Sequence, residues 1–141
     1  MSKAVKVSRK GRLGGFIAML LAGIFLVSAC TSSSTAVQTV DPAAFLTAAS
    51  QAGVVLVDVR TPSEYISGHL QGAVNLDVED PNFAQSIAAL DKTTHYAVYC
   101  RSGRRSALAA DEMAGAGFTN ITNSQLGIAD LQMAGATIVA G

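Results

Sequence analysis

A chain of 141 residues, half of them hydrophobic, is long enough for one compact domain with its own core and too short for two ordinary ones. Its formal charge is zero, yet five of the ten basic residues (Lys3, Lys6, Arg9, Lys10, Arg12) precede residue 13, where no acidic residue occurs. Without residues 1–29 the balance is five basic against ten acidic side chains, a formal −5, which argues against nucleic acid as a partner.

The basic segment runs into LGGFIAMLLAGIFLV (Leu13 to Val27), an uncharged apolar stretch of signal-peptide length. It falls short of the ~20 residues that span a bilayer. VSAC (Val27 to Cys30) follows and resembles the lipobox of bacterial lipoproteins, with Val27 where leucine is commoner. That resemblance implies acylation of Cys30, cleavage before it, and anchoring of the protein outside the cytoplasm, at the cell surface or in the periplasm, by two or three acyl chains. Residues 1–29 are then a signal peptide. Residues 30–40 are the lipidated cysteine and a Ser/Thr-rich tether whose last residues are candidates for a first strand. With Cys30 acylated, Cys100 is the sole free thiol of a protein in an oxidising setting, which calls for a function.

From residue 41 the chain alternates helix and strand. Asp41 and Pro42 supply an N-cap and a first-turn proline for a helix through AAFLTAAS, stopped near Gly53. VVLVDV (Val54 to Val59) is a continuous branched run, the pattern of a strand buried on both faces of a parallel sheet. Thr61, Pro62 and Glu64 form a capping-box signal for a short helix ending near Gly68. AVNL (Ala73 to Leu76) predicts a strand, Asp80 and Pro81 open a helix through Leu90, and HYAVYC (His95 to Cys100) predicts another strand. SALAADEMAGAG predicts a helix from Ser106 to a glycine exit at Gly115 or Gly117, NIT (Asn120 to Thr122) a strand, and GIADLQMAG (Gly127 to Gly135) a last helix. The fold class this implies is α/β: three layers, a mostly parallel central sheet of about five strands, and helices on both faces over residues 41–141. Ligand sites in such sheets lie beyond the carboxyl ends of the strands, where Asp58 to Arg60 and Cys100 to Arg105 both fall.

CRSGRRS (Cys100 to Ser106) sits between a strand and a helix N-terminus, with Arg101, Arg104 and Arg105 crowding positive charge around one thiol. A thiol is a nucleophile only as its thiolate, and cations with helix-terminal amides are what lower its pKa. Gly103 permits a backbone conformation in which the loop amides turn inward as an anion nest. Two cysteines and the separated His69 and His95 give no metal-ligand spacing, and no resolving cysteine lies near Cys100. No lysine motif or glycine pattern of a nucleotide site is present either, and no cofactor is implied.

Taken together, residues 41–141 resemble a single rhodanese (sulfurtransferase) domain. LVDVRTPSEYISGHLQGAVNL (Leu56 to Leu76) is similar to that family's first signature and CRSGRRS to its active-site loop. The resemblance implies that Cys100 takes a sulfane sulfur from a small anionic donor such as thiosulfate. It then passes the sulfur from a persulfide to cyanide or a thiol acceptor. It implies further that amides from Arg101 through Ser102, Gly103 and Arg104 to Arg105 cradle the persulfide, and that Arg105, with Arg101 or Arg104, attracts the donor. Asp58 and Arg60 match the DxR of the first signature as supporting residues, a structural ion pair or cap with substrate contact the alternative, while Glu64 and His69 of the same segment fix the loop by hydrogen bonds, with proton transfer by His69 the weaker reading. Related phosphatases and arsenate reductases separate cysteine and arginine by five residues; here the arginine, Arg105, follows after four, position 106 is serine, and Tyr99 rather than histidine precedes Cys100. Oxyanion reduction and phosphate ester hydrolysis are the weaker enzyme readings, and a binding module without turnover is the alternative from another class. Family members commonly carry a Gly-Gly pair and a tryptophan after the fifth strand, where this chain has Leu126 at the first glycine and Leu131 at the tryptophan.

Overall fold

The computed structural model describes residues 35–141; the basic leader, the apolar stretch and Cys30 lie outside the described residues. Five parallel strands form the sheet: β1 (Val37–Val40), β2 (Val54–Asp58), β4 (Val74–Asn75), β5 (His95–Tyr99) and β6 (Ile121–Ser124), in the order β1-β6-β5-β2-β4. A small antiparallel pair joins β3 (His69–Leu70) to β7 (Ile138–Val139). Residues 37–40, assigned above to the tether with a strand as the option, pair with β6 at the sheet edge. The domain therefore opens four residues before the helix signal at Asp41.

Five helices cover the sheet: α1 (Pro42–Ala49), α2 (Pro62–Ser67), α3 (Phe83–Ala88), α4 (Arg104–Gly115) and α5 (Ile128–Met133). The caps read in the sequence form at α1, where Asp41 accepts from the Ala44 amide at 2.9 Å, and at α2, where Thr61 and Glu64 cap reciprocally. Two helix starts differ from expectation. Asp80 accepts from the Asn82 amide at 2.8 Å in a turn of its own, and α3 begins only at Phe83. α4 begins at Arg104 rather than Ser106, because Gly103 adopts a left-handed conformation (φ 90°) and closes the loop early.

Side-chain alternation divides the core between the two faces. Val57, Val59, Tyr96, Val98 and Cys100 pack with residues of α3 and α4 such as Ile87, Ala109 and Met113. Ala97 and Tyr99 pack on the other face with Phe45 of α1, Leu131 of α5, Leu70 and Ala73. The register sets Asp58 beside Tyr99. From β2 the chain proceeds to its neighbour β4, and from β5 it proceeds the other way to β6, so the Cys100 loop leaves the sheet where strand order reverses.

Candidate active site

Cys100 follows the last residue of β5 and Arg104 opens α4, so the loop between them is Arg101 to Gly103. Its sulfur is fully buried. The Gly103 amide donates to Sγ at 3.1 Å, and the Ser106 hydroxyl lies 3.5 Å away. Burial pushes the thiol pKa up, but hydrogen bonding with the Ser106 hydroxyl and from the amides of Ser102, Ser106 and Gly103 outweighs it and holds the pKa below its ordinary value. The amides that bear on the sulfur are thus those of Ser102 and Gly103, within the expected Arg101 to Arg105, and of Ser106 beyond it. Ser106, which the sequence reading took only as a helix start, is a positioning group for the thiolate. Its serine at the first turn of a helix behind a cysteine loop was the available signal.

The loop is locked by its neighbour, the β6–α5 connection. Ile128 donates its amide to the Cys100 carbonyl at 3.0 Å. A β-carbon at Gly103 would strike the Gln125 carbonyl, and one at Gly127 would strike the Arg101 carbonyl. Two backbones therefore meet with no side chain between them, and both glycines are required by close approach.

The three loop arginines divide. Arg105 donates to Glu64 Oε2 at 2.7 Å and Oε1 at 2.8 Å, and to Glu79 Oε2 at 2.9 Å. Hydrogen bonding to Glu64 raises the Arg105 pKa further, and Arg105 in turn holds the Glu64 carboxyl at about 2. Arg105, expected to draw a donor to the pocket mouth, is placed between two carboxylates, and it ties α4 to α2 and to the segment after β4. Glu79 was not found from sequence, since a surface glutamate 26 residues away carries no local signal. Arg101 and Arg104 are exposed and make no salt bridge among the described residues.

Asp58 and Arg60 lie at the same sheet edge without touching the sulfur. Arg60 Nε donates to Asp58 Oδ1 at 3.0 Å, and its Nη2 donates at 2.6 Å both to Asp58 Oδ2 and to the Gly68 carbonyl. Burial lowers the Arg60 pKa, and the pairing with Asp58 more than reverses it. Tyr99 donates its hydroxyl to Asp58 Oδ2 at 2.8 Å and accepts from the Leu70 amide at 2.9 Å. Burial, then the Asp58 charge, raise the tyrosine pKa well above its ordinary value. This network joins the ends of β2 and β5 to β3 beneath the loop. His69 is buried, stacks on Tyr65 with centroids 3.7 Å apart, and bonds the Tyr65 carbonyl through Nδ1 at 2.9 Å. Both arrangements fix segments of chain.

Two surface cavities of about 210 and 200 Å³ lie elsewhere, one beside α1 around Leu46 and Leu70 and one around Asp77 and Phe83; neither is lined by the loop. At Cys100 the loop instead wraps a buried sulfur with a backbone amide and the Ser106 hydroxyl close to it. That geometry, on a parallel α/β sheet, agrees with the match of residues 41–134 to the profile of the rhodanese-like domain. The chain belongs to the rhodanese-like domain family. It is 34% identical over 77 residues to the thiosulfate sulfurtransferase PspE of Escherichia coli, covering 55% of this chain and 73% of that one. A solved rhodanese with anions from E. coli is 30% identical, with a TM-score of 0.51 over 62% of this chain and 99% of its own. A rhodanese-related protein from Thermoplasma volcanium, 24% identical, shares the fold with a TM-score of 0.64 over 74% of this chain and 99% of its own. Three further relatives are matched over only 46%, 57% and 62% of their own lengths.

For this rhodanese-like domain the two sequence departures have distinct consequences. Leu131 is fully buried against Phe45, Tyr99 and Leu70 and fills its site as an apolar residue. Leu126 stands 41% exposed beside the loop, while Gly127, the second glycine position, keeps the close backbone approach.

Proposed function

We propose that this protein is a sulfurtransferase that carries sulfane sulfur on Cys100. The observation that carries the reading is the Cys100 sulfur held 3.1 Å from the Gly103 amide, with its pKa lowered by hydrogen bonds, in the loop before α4 of a rhodanese-like domain. The Cys100 thiolate attacks the outer sulfur of thiosulfate, the S–S bond of the donor breaks, and its electron pair leaves with sulfite. Cyanide or a thiolate then attacks the terminal sulfur of the persulfide, forming thiocyanate or a new persulfide and returning Cys100 as its thiolate. Arg101 and Arg104 attract the anionic donor, and the amides of Ser102, Gly103 and Ser106 stabilise the charge on sulfur. The family name alone does not supply turnover, since the same fold serves as a binding module. Thiocyanate formation from thiosulfate and cyanide by the protein, and its loss in Cys100→Ala, is the test; folded protein without thiocyanate favours the module.

Attachment to a bacterial membrane through Cys30 is part of the proposal, supported by the basic leader, the apolar stretch and VSAC. Incorporation of labelled palmitate that Cys30→Ser abolishes tests it, and a protein released without acyl chains refutes it.

A further inference from the structure

The two faces of the sheet differ in charge. Residues 42–57, 65–76 and 131–141 contain no Asp, Glu, Lys or Arg. They supply α1, β3, β7 and the end of α5, and their Phe45, Leu70, Ala73 and Leu131 pack as one cluster on one face of the sheet. Three carboxylates border this layer: Asp41 caps α1, Glu64 lies in the first turn of α2, and Asp130 lies in that of α5. All three stand where helices begin, at the carboxyl end of the strands, as Cys100 does. The imidazoles on this side are not exposed; His69 bonds the Tyr65 carbonyl and His95 the Thr122 hydroxyl. Glu79, Asp80, Asp91, Lys92, Asp111 and Glu112, all exposed, sit on or beside α3 and α4, the helices of the other face.

Toward the amino end of the strands the layer is uncharged and uneven. α1 and α5 pack together and run back along the sheet, so both helices finish at that end. Where α1 finishes, Leu46, Ala49, Leu56, Leu70 and Ala136 line the cavity of about 210 Å³, which draws its walls from all three uncharged stretches. Where α5 finishes, Met133 stands 79% exposed, more than any other large hydrophobic side chain among the described residues. A methionine side chain has four non-hydrogen atoms, roughly 120 Å³ at about 30 Å³ each, and fits such a cavity. A flexible thioether pointing to solvent and an apolar cavity on one uncharged surface are a knob and a hole.

We propose that two copies of this chain associate face to face through this layer, with Met133 of each entering the cavity of the other. A twofold axis makes both insertions at once, because an isologous interface pairs one patch with itself. Electrostatics favours a second copy as the occupant. Each copy carries a formal −5 after residue 29, and this arrangement turns the charged helix starts and the far face away from the contact, so no like charges meet. A charged partner finds nothing to pair with here. A lipid surface is met by basic and aromatic side chains, and the exposed residues of the three stretches include neither. Both Cys100 loops stay at the carboxyl ends of the strands, clear of the contact, so the proposal stands apart from the sulfurtransferase reading.

Sedimentation equilibrium of the full-length protein in a neutral detergent, over about a hundredfold range of concentration, tests this. The mass is expected to rise from one chain to two and to stop there. Thr47→Glu/Met133→Glu and Thr47→Lys/Met133→Lys place charge at exposed positions of α1 and α5, and each pair is expected to weaken association at least about tenfold. An equimolar mixture of the two variants is expected to regain it at low salt, which requires the two faces to meet each other. Met133→Ala introduces no charge and is expected to weaken the native dimer at least about fivefold. Native protein that stays monomeric throughout, any of these variants associating as the native protein does, or a mixture that stays monomeric overturns the proposal.

Discussion

Replacing Glu64 with glutamine isolates the charge that holds Arg105. Glutamine keeps the side-chain length and can still close the capping box with Thr61, so helix α2 retains its start. What is lost is a carboxylate held at about 2 instead of 4.5, chiefly by its hydrogen bond to Arg105. At about 1.4 kcal/mol per unit this caps the effect near 3 kcal/mol. The Glu64 side chain is 28% exposed, and solvent screening reduces the expected loss to about 1–2 kcal/mol. The folded-state pKa is depressed, so the stabilisation is complete above about 4.5 and disappears as the pH falls through about 2. Urea unfolding of native protein and Glu64→Gln at pH 6 and at pH 3 measures both. The difference between the two proteins is expected to shrink by more than half at pH 3. A difference of the same size at both pH values, or none at pH 6, would refute the assignment of this pair as the tie between α2 and α4.

Other consequences follow from the loop and the network below it. Ser106→Ala removes one of the groups favouring the Cys100 thiolate, and the thiol pKa is expected to rise, read from thiolate absorbance against pH; an unchanged titration would contradict the role given to Ser106. Gly127→Ala drives a β-carbon into the Arg101 carbonyl; denaturant unfolding is expected to show a loss of about 2 kcal/mol or more, with Cys100 left accessible to thiol reagents. Tyr99→Phe strands the buried Leu70 amide and withdraws a donor from Asp58, which costs about 1–3 kcal/mol in the same measurement. Because Cys100 has no exposed surface, iodoacetamide is expected to modify it more slowly than a free cysteine of equal pKa in the native protein, and at the ordinary rate in urea.

The parts of the fold legible in the sequence are those with local physical signals. Val54 to Asp58 and His95 to Tyr99 read as buried parallel strands because nearly every residue is apolar, and Asp41 and Thr61 read as caps because the bond spans three residues. The β3–β7 pair was not legible: strands of two residues have no period to detect. At α3 the Asp-Pro signal was real, but Asp80 satisfied the nearby Asn82 amide in a turn and the helix began later. Within the site, the nest at Gly103 could be anticipated because its charge, glycine and helix start are contiguous. The fate of Arg105 could not, because its partners come from 41 and 26 residues away and are brought to it only by the packing of α2 and the segment after β4 against α4. Likewise Tyr99, noted in the sequence only as the residue in place of a histidine, gained its role from Asp58 alongside it in the register.

The central claim is that Cys100 carries sulfur, and intact mass of the reduced protein before thiosulfate, after it, and after cyanide tests this most directly. The account predicts a gain of one sulfur atom that cyanide removes and that Cys100→Ala never shows. A folded protein with a reduced thiol that gains no mass, or a gain that persists in Cys100→Ala, would contradict it.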